Sequence, residues 1–111
     1  MRTEMSGITI HVLDIASGRP AAGIPVTLER EGEHGWHAVG NGVTYADGRL
    51  RTLLTTAPAS GTYRITFNTG AYFPTGFFPS VTITFVVAEG EEHYHVPLLL
   101  SPYSYSTYRG S

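Results

Sequence analysis

Apolar and polar residues alternate along much of this chain with a period of two, the spacing of a strand whose two faces meet different surroundings. In the stretch from Ile8 to Asp14, Ile8, Ile10 and Val12 share one face while Thr9, His11 and Leu13 share the other. The same alternation sets Ile24, Val26 and Leu28 against Pro25, Thr27 and Glu29, and Tyr63, Ile65 and Phe67 against Arg64, Thr66 and Asn68. It returns at Val81, Ile83, Phe85 and Val87, and once more from His93, where His93 and His95 fall on one face. Further strands are predicted from His37 to Thr44 and from Leu50 to Leu54.

Glycine and proline recur between these segments. "SGRPAAG" reads as a turn, "REGEHG" as a polar hairpin loop, and "YADGR" as an Asp-Gly turn. Short strands rich in Val, Ile, Thr, Tyr and Phe with such punctuation predict an all-β sandwich or barrel. "TGAYFPTGFFP" has too much Gly and Pro to extend a strand, and one helical turn is expected at Thr69 to Phe73. Pro97 interrupts the last apolar run. A proline inside a strand removes one ladder donor, so Pro97 predicts an edge, a bulge or a strand bordered by another subunit.

The 111 residues suit one domain, 1–111, with 1–6 expected to be a flexible N-terminus. No segment approaches the roughly 20 apolar residues of a spanning helix. The first residues carry no apolar h-region, so a cytoplasmic protein without membrane association is expected. A formal charge of −2 with scattered basic residues argues against nucleic acid as a partner. Every basic residue is arginine and there is no cysteine, which excludes Schiff-base lysines, thiolate nucleophiles and disulfides.

Histidine therefore carries most of the candidate chemistry. His93 and His95, two apart, have the spacing of paired metal ligands on a strand, but no motif fixes a third from His11, Glu91, Glu92 or Asp14. The alternative for His93 is a hydrogen-bonded structural residue. His34 and His37 read as surface residues. Gly-x-Ser-x-Gly is absent, and Glu89, Glu91 and Glu92 form a solvated loop rather than a catalytic carboxylate pair.

Four stretches, "ITIHVLDIASGRPAAGIPVTLER", "GVTYADGRL", "GTYRITFNTGAYF" and "EHYHVPLLLSPYSYSTYRGS", together resemble the 5-hydroxyisourate hydrolases, or transthyretin-like proteins. The last is the most specific, because His-Tyr-His-Val-Pro-Leu-Leu-Leu joined to a terminal Tyr-Arg-Gly-Ser is no general β pattern. Ser104, where relatives often have glycine, and a short Pro74 to Gly76 segment depart from the family pattern.

The resemblance implies a transthyretin-like sandwich of two four-stranded sheets with one short helix, assembled as a homotetramer with active sites in the channel between dimers. It implies hydrolysis of 5-hydroxyisourate to 2-oxo-4-hydroxy-4-carboxy-5-ureidoimidazoline, the step after urate oxidation, with neither metal nor cofactor. His11, Arg49 and His95 correspond to the family's catalytic residues, and Tyr108 and Ser111 join them in substrate binding. Histidine near its ordinary pKa of about 6.5 suits proton transfer at neutral pH, and arginine suits the charge that grows on an attacked carbonyl oxygen. Two other functions compete: a transthyretin-type carrier of a hydrophobic ligand such as a thyroid-type hormone, and a structural sandwich module without a small-molecule site.

Overall fold

The computed structural model describes residues 6–111. Most of the expected flexible N-terminus, residues 1–5, lies outside them, and Ser6 belongs to no strand. Nine strands follow in order: β1 (Gly7–Asp14), β2 (Arg19–Pro20), β3 (Pro25–Gly32), β4 (Gly35–Val43), β5 (Arg49–Leu54), β6 (Gly61–Phe67), β7 (Val81–Val87), β8 (His93–Leu100) and β9 (Tyr105–Thr107). One 3-10 turn, Thr69–Ala71, precedes β7, two residues shorter than the helical turn expected from Thr69 to Phe73.

The strands form two sheets, as an all-β sandwich requires. One is four-stranded, in the order β4-β3-β6-β7. The other has five strands rather than the expected four: β2-β1-β8-β9, with β5 also paired to β1. The additional strand comes from "SGRPAAG". Asp14 Oδ1 accepts the N–H groups of Ala16 (2.9 Å) and Ser17 (3.1 Å), which folds the chain back so that Arg19 and Pro20 pair with Asp14 and Leu13. A proline fits there because an edge strand has a side that needs no donor.

"REGEHG" also differs from its expected loop. Arg30, Glu31 and Gly32 stay in β3 opposite His37, Trp36 and Gly35, leaving Glu33 and His34 as the turn. A polar run is compatible with a strand where neither face is buried. Arg64 from β6 secures this exposed face, pairing with Glu29 (2.7 Å) and lying 4.2 Å from the Trp36 ring centroid.

The alternating positions meet in the core as their period demands. Ile8, Ile10 and Val12 from β1 and Tyr94, Val96, Leu98 and Leu100 from β8 are buried against Val26 and Leu28 of β3 and Tyr63, Ile65 and Phe67 of β6. Each fully buried side chain of this size stabilises the fold by roughly 1.5–3 kcal/mol. The opposite faces of β1 and β8 are thereby turned outward, carrying Thr9 and His11, and His93 and His95.

Pro97 is not on an edge strand of the sheet, for β8 has β1 on one side and the tail on the other. The tail ladder is broken beside it. β9 pairs with Leu98 to Leu100, Gly110 bridges to His95, and between them the Thr107 hydroxyl donates to the Pro97 carbonyl (2.7 Å). Since N–H and C=O of one strand residue point to the same side, the missing donor faces this gap.

A candidate hydrolytic site

Three strands and the chain end build the site on the outward face of the five-stranded sheet. β1 and β8 run parallel with Gly7 opposite His93, Thr9 opposite His95 and His11 opposite Pro97. On the other side of β1, His11 is paired with Arg49 at the start of β5. Directly opposed side chains on neighbouring strands share a face, so one histidine-rich row lies beside one arginine.

The Asp-Gly turn sets where Arg49 stands. Gly48 has φ +76°, and a Cβ there would lie 2.4 Å from the Val12 carbonyl oxygen, so only glycine lets the turn press against β1. The Val12 N–H donates to the Gly48 carbonyl (2.8 Å), locking turn to strand. Asp47 Oδ1 accepts the Arg49 N–H (3.0 Å) and its Oδ2 accepts from Arg51 Nη2 (3.1 Å). Arg51 is thus committed to Asp47, whereas the Arg49 guanidinium makes no ion pair among the described residues.

The tail closes the other side. Arg109 pairs with Glu91 (2.8 Å) and sits 4.4 Å from the Tyr94 ring centroid, and the Gly110 N–H donates to the His95 carbonyl (2.8 Å). A Cβ on Gly110 would stand 2.6 Å from His95 Cδ2. These contacts deliver Ser111 to a cavity of about 200 Å³ lined by Thr9, Ile10, Arg49, Arg51, His93, His95 and Ser111.

The predicted residues are therefore distributed as follows. Arg49, His95 and Ser111 converge on the cavity; His11 is not among the residues that line it, but it is paired with Arg49 across β1 and β5. Tyr108 does not join them within this chain. It is 60% exposed and lines a separate apolar cleft of about 260 Å³, with Ile83, Phe85, Val86 and Val96, at the open edge between the sheets. Thr9 and Arg51 line the cavity without having been singled out as site residues, and so does His93, which the sequence offered as a metal ligand or a hydrogen-bonded structural residue. The alternation of β1 and β8 already placed Thr9 on the face of His11 and His93 on that of His95, the available signal for two of them.

Burial, and then the nearby Arg49 charge, hold the His95 pKa below its ordinary 6.5, and His11 and His93 push the same way. Burial and Arg49 likewise lower His11, against the Asp47 carbonyl. That carbonyl lies 3.1 Å from His11 Nε2 and can only accept, so Nε2 carries the hydrogen and Nδ1 is bare. Both rings are mainly neutral at pH 7.

Among the described residues no three His, Asp or Glu side chains gather as a metal site. Glu91 is turned toward Arg109, and Asp14 accepts from the Tyr72 hydroxyl (2.8 Å). Neutral imidazoles beside a permanent cation in a small polar cavity can move protons to and from a bound carbonyl compound while stabilising negative charge on its oxygen.

Comparison with known proteins places this chain in a lineage. Residues 8–110 match the HIUase/Transthyretin family. A 5-hydroxyisourate hydrolase of Salmonella dublin is 46% identical over 109 residues, covering 94% of this chain and 80% of that protein. The structure of Klebsiella pneumoniae 5-hydroxyisourate hydrolase superposes with a TM-score of 0.82 at 40% identity, over 94% of this chain and 98% of that one. Sea bream transthyretin in complex with thyroxine superposes with a TM-score of 0.85 at 32% identity, over 93% of each chain.

Proposed function

The chain belongs to the HIUase/Transthyretin family, and from that premise we propose that it is a 5-hydroxyisourate hydrolase, an enzyme of urate degradation that opens the substrate's ring amide to 2-oxo-4-hydroxy-4-carboxy-5-ureidoimidazoline. The observation that carries this reading is the meeting of His95, Arg49 and Ser111, from β8, β5 and the chain end, at one small polar cavity.

In this mechanism a neutral histidine takes a proton from water as the water oxygen bonds to the amide carbonyl carbon. The carbonyl electron pair moves onto oxygen, where the Arg49 guanidinium stabilises it. The carbon–nitrogen bond then breaks, and the leaving nitrogen takes a proton from the imidazolium. His11 and His95 are the candidates for proton transfer. Ser111 offers a hydroxyl to orient the substrate.

The enzyme acts as a homotetramer in this proposal. Support comes from the open edge beside β7 and β9, where Val86 and Tyr108 are exposed around an apolar cleft. Tyr108 enters substrate binding only where a second copy covers that edge. The proposal locates the enzyme in the cytoplasm; no helix among the described residues is long and apolar enough to cross a membrane.

The resemblance to thyroxine-bound transthyretin gives hormone binding a specific footing. Its weakness is chemical: six of the seven residues lining the cavity are polar or charged, whereas apolar ligands favour pockets with few polar anchors. The test is to generate 5-hydroxyisourate from urate in situ and follow its ultraviolet decay with and without the protein, measuring thyroxine binding in parallel. Accelerated decay is expected. An unchanged decay, with or without hormone binding, refutes the hydrolase reading.

A further inference from the structure

Thr9 is an unusual residue for the outward face of a sheet: it is only 5% exposed, and its hydroxyl lies between two imidazoles. Thr9 Oγ1 is 2.8 Å from His95 Nδ1 and 3.3 Å from His93 Nε2. The parallel register of β1 and β8 creates this arrangement, because Thr9 is directly opposite His95 and His93 is one step back on the same face.

A threonine hydroxyl has one hydrogen, so it cannot donate to both rings at once. Two chains of donors satisfy all three groups. In one, His93 Nε2–H donates to Thr9, which donates to His95 Nδ1. In the other, His95 Nδ1–H donates to Thr9, which donates to His93 Nε2. Only the second leaves a proton-accepting nitrogen open to the cavity: Nδ1 spends its hydrogen on the Thr9 hydroxyl, and Nε2, which Thr9 does not touch, keeps its lone pair.

We propose that Thr9 and His93 are positioning residues that hold His95 in its Nδ1–H form, so that its Nε2 lone pair faces the cavity and His95 is the general base. This rests on the hydrolase reading for its chemistry, while the tautomer can be measured without substrate. The other ring edges agree with it. Nδ1 is occupied by Thr9 and the Cδ2 edge is covered by Gly110, which leaves Nε2 as the one ring nitrogen available to a ligand.

The proton balance closes. Nε2 takes a proton from water as the new carbon–oxygen bond forms, and the imidazolium keeps donating Nδ1–H to Thr9, whose hydroxyl stays donated to His93. When the ring carbon–nitrogen bond breaks, Nε2 gives its proton to the leaving nitrogen and the starting tautomer is restored. Thr9 and His93 never carry the transferred proton. They select which nitrogen does.

Nitrogen-15 NMR of the histidine rings in the full chain, without substrate, reads the tautomer directly. The expected spectrum has His95 protonated at Nδ1 and bare at Nε2, with Thr9→Val losing this preference and Thr9→Ser keeping it. In kinetics, Thr9→Val and His93→Leu should lower kcat by about tenfold or more with little change in KM, while Thr9→Ser and His93→Gln, which can still complete the chain, recover most of the rate. Thermal melts identify any variant that fails to fold, and the wild-type tautomer decides the matter without variants. A wild-type His95 protonated at Nε2, or a folded Thr9→Val enzyme with wild-type kcat, overturns the proposal. Wild-type protein that shows the Nδ1–H tautomer but does not hydrolyse 5-hydroxyisourate refutes the hydrolase reading and, with it, the base assignment.

Discussion

Gly110 lies against the ring of His95, so close that a Cβ at position 110 would stand 2.6 Å from His95 Cδ2, while its N–H donates to the carbonyl of the same histidine. Gly110 thus holds both the backbone and one ring edge of a candidate catalytic group. An aromatic, arginine-bearing tail acquires a purpose from this contact. Arg109, fixed by Glu91 and Tyr94, presses the glycine into place.

Gly110→Ala should therefore displace the His95 ring rather than unfold the protein. kcat/KM is expected to fall by about tenfold or more, consistent with the sensitivity of catalysis to small misplacements. Near-wild-type kcat/KM in a crystal-verified Gly110→Ala variant would remove the tail from the positioning of His95.

A tag fused after Ser111, or deletion of residues 108–111, should abolish turnover with the far-ultraviolet β spectrum retained. β9 ends at Thr107, so its pairing with Leu98 to Leu100 survives both changes. Full activity in the tagged protein would show that an open tail is not needed.

The pH dependence follows from the signs of the histidine shifts. His11 and His95 are lowered, so the neutral, proton-accepting forms persist at pH values below the ordinary 6.5, and the acid limb of kcat/KM should lie below it. Arg49 contributes to lowering both. Arg49→Gln should reduce kcat by about a hundredfold or more through lost charge stabilisation. It should also move the residual acid limb upward in pH. A pH–rate profile checks both effects, and a limb that stays in place would show that the Arg49 charge is not felt by the reacting histidine.

Asp14 couples stability to acid. Burial alone would raise its pKa, but the Tyr72 hydroxyl and the Ser17 and Ala16 N–H groups outweigh burial and bring it below 3.8. A lowered carboxylate contributes stability that is present above its unfolded pKa and is lost as pH falls through the folded value. Tyr72→Phe should cost about 1.5–3 kcal/mol at pH 7, the range for a hydrogen bond to a charged group. Urea titrations should show the difference from wild type shrinking as the carboxylate is protonated.

Phe67 tests the sandwich itself. It is fully buried between the sheets, and Phe67→Ala should destabilise by about 3–5 kcal/mol in urea titration. A loss under 1 kcal/mol would mean that the core collapses around the gap.

Alternation alone determined a good deal of this protein. Because side chains on a strand repeat every two residues, Ile8, Ile10 and Val12 had to be separated from Thr9 and His11, and His93 had to share a face with His95, whatever the tertiary fold. The Asp-Gly turn before Arg49 was equally legible, since glycine is the residue that tolerates its positive φ. Local patterns failed where pairing was decided at a distance. "REGEHG" is polar enough for a loop, yet β4 holds half of it in a ladder. "SGRPAAG" reads as a turn, yet Arg19 and Pro20 add a strand to the edge of β1.

The site shows the same division. Its residue types were visible along the chain, but nothing local puts Thr9 opposite His95, 86 positions away, or Arg49 opposite His11. Those registers arise from long-range hydrogen-bond ladders and from closing a core between two sheets. The hydroxyl between two imidazoles, and the glycine against one of them, exist only once the ladders are formed.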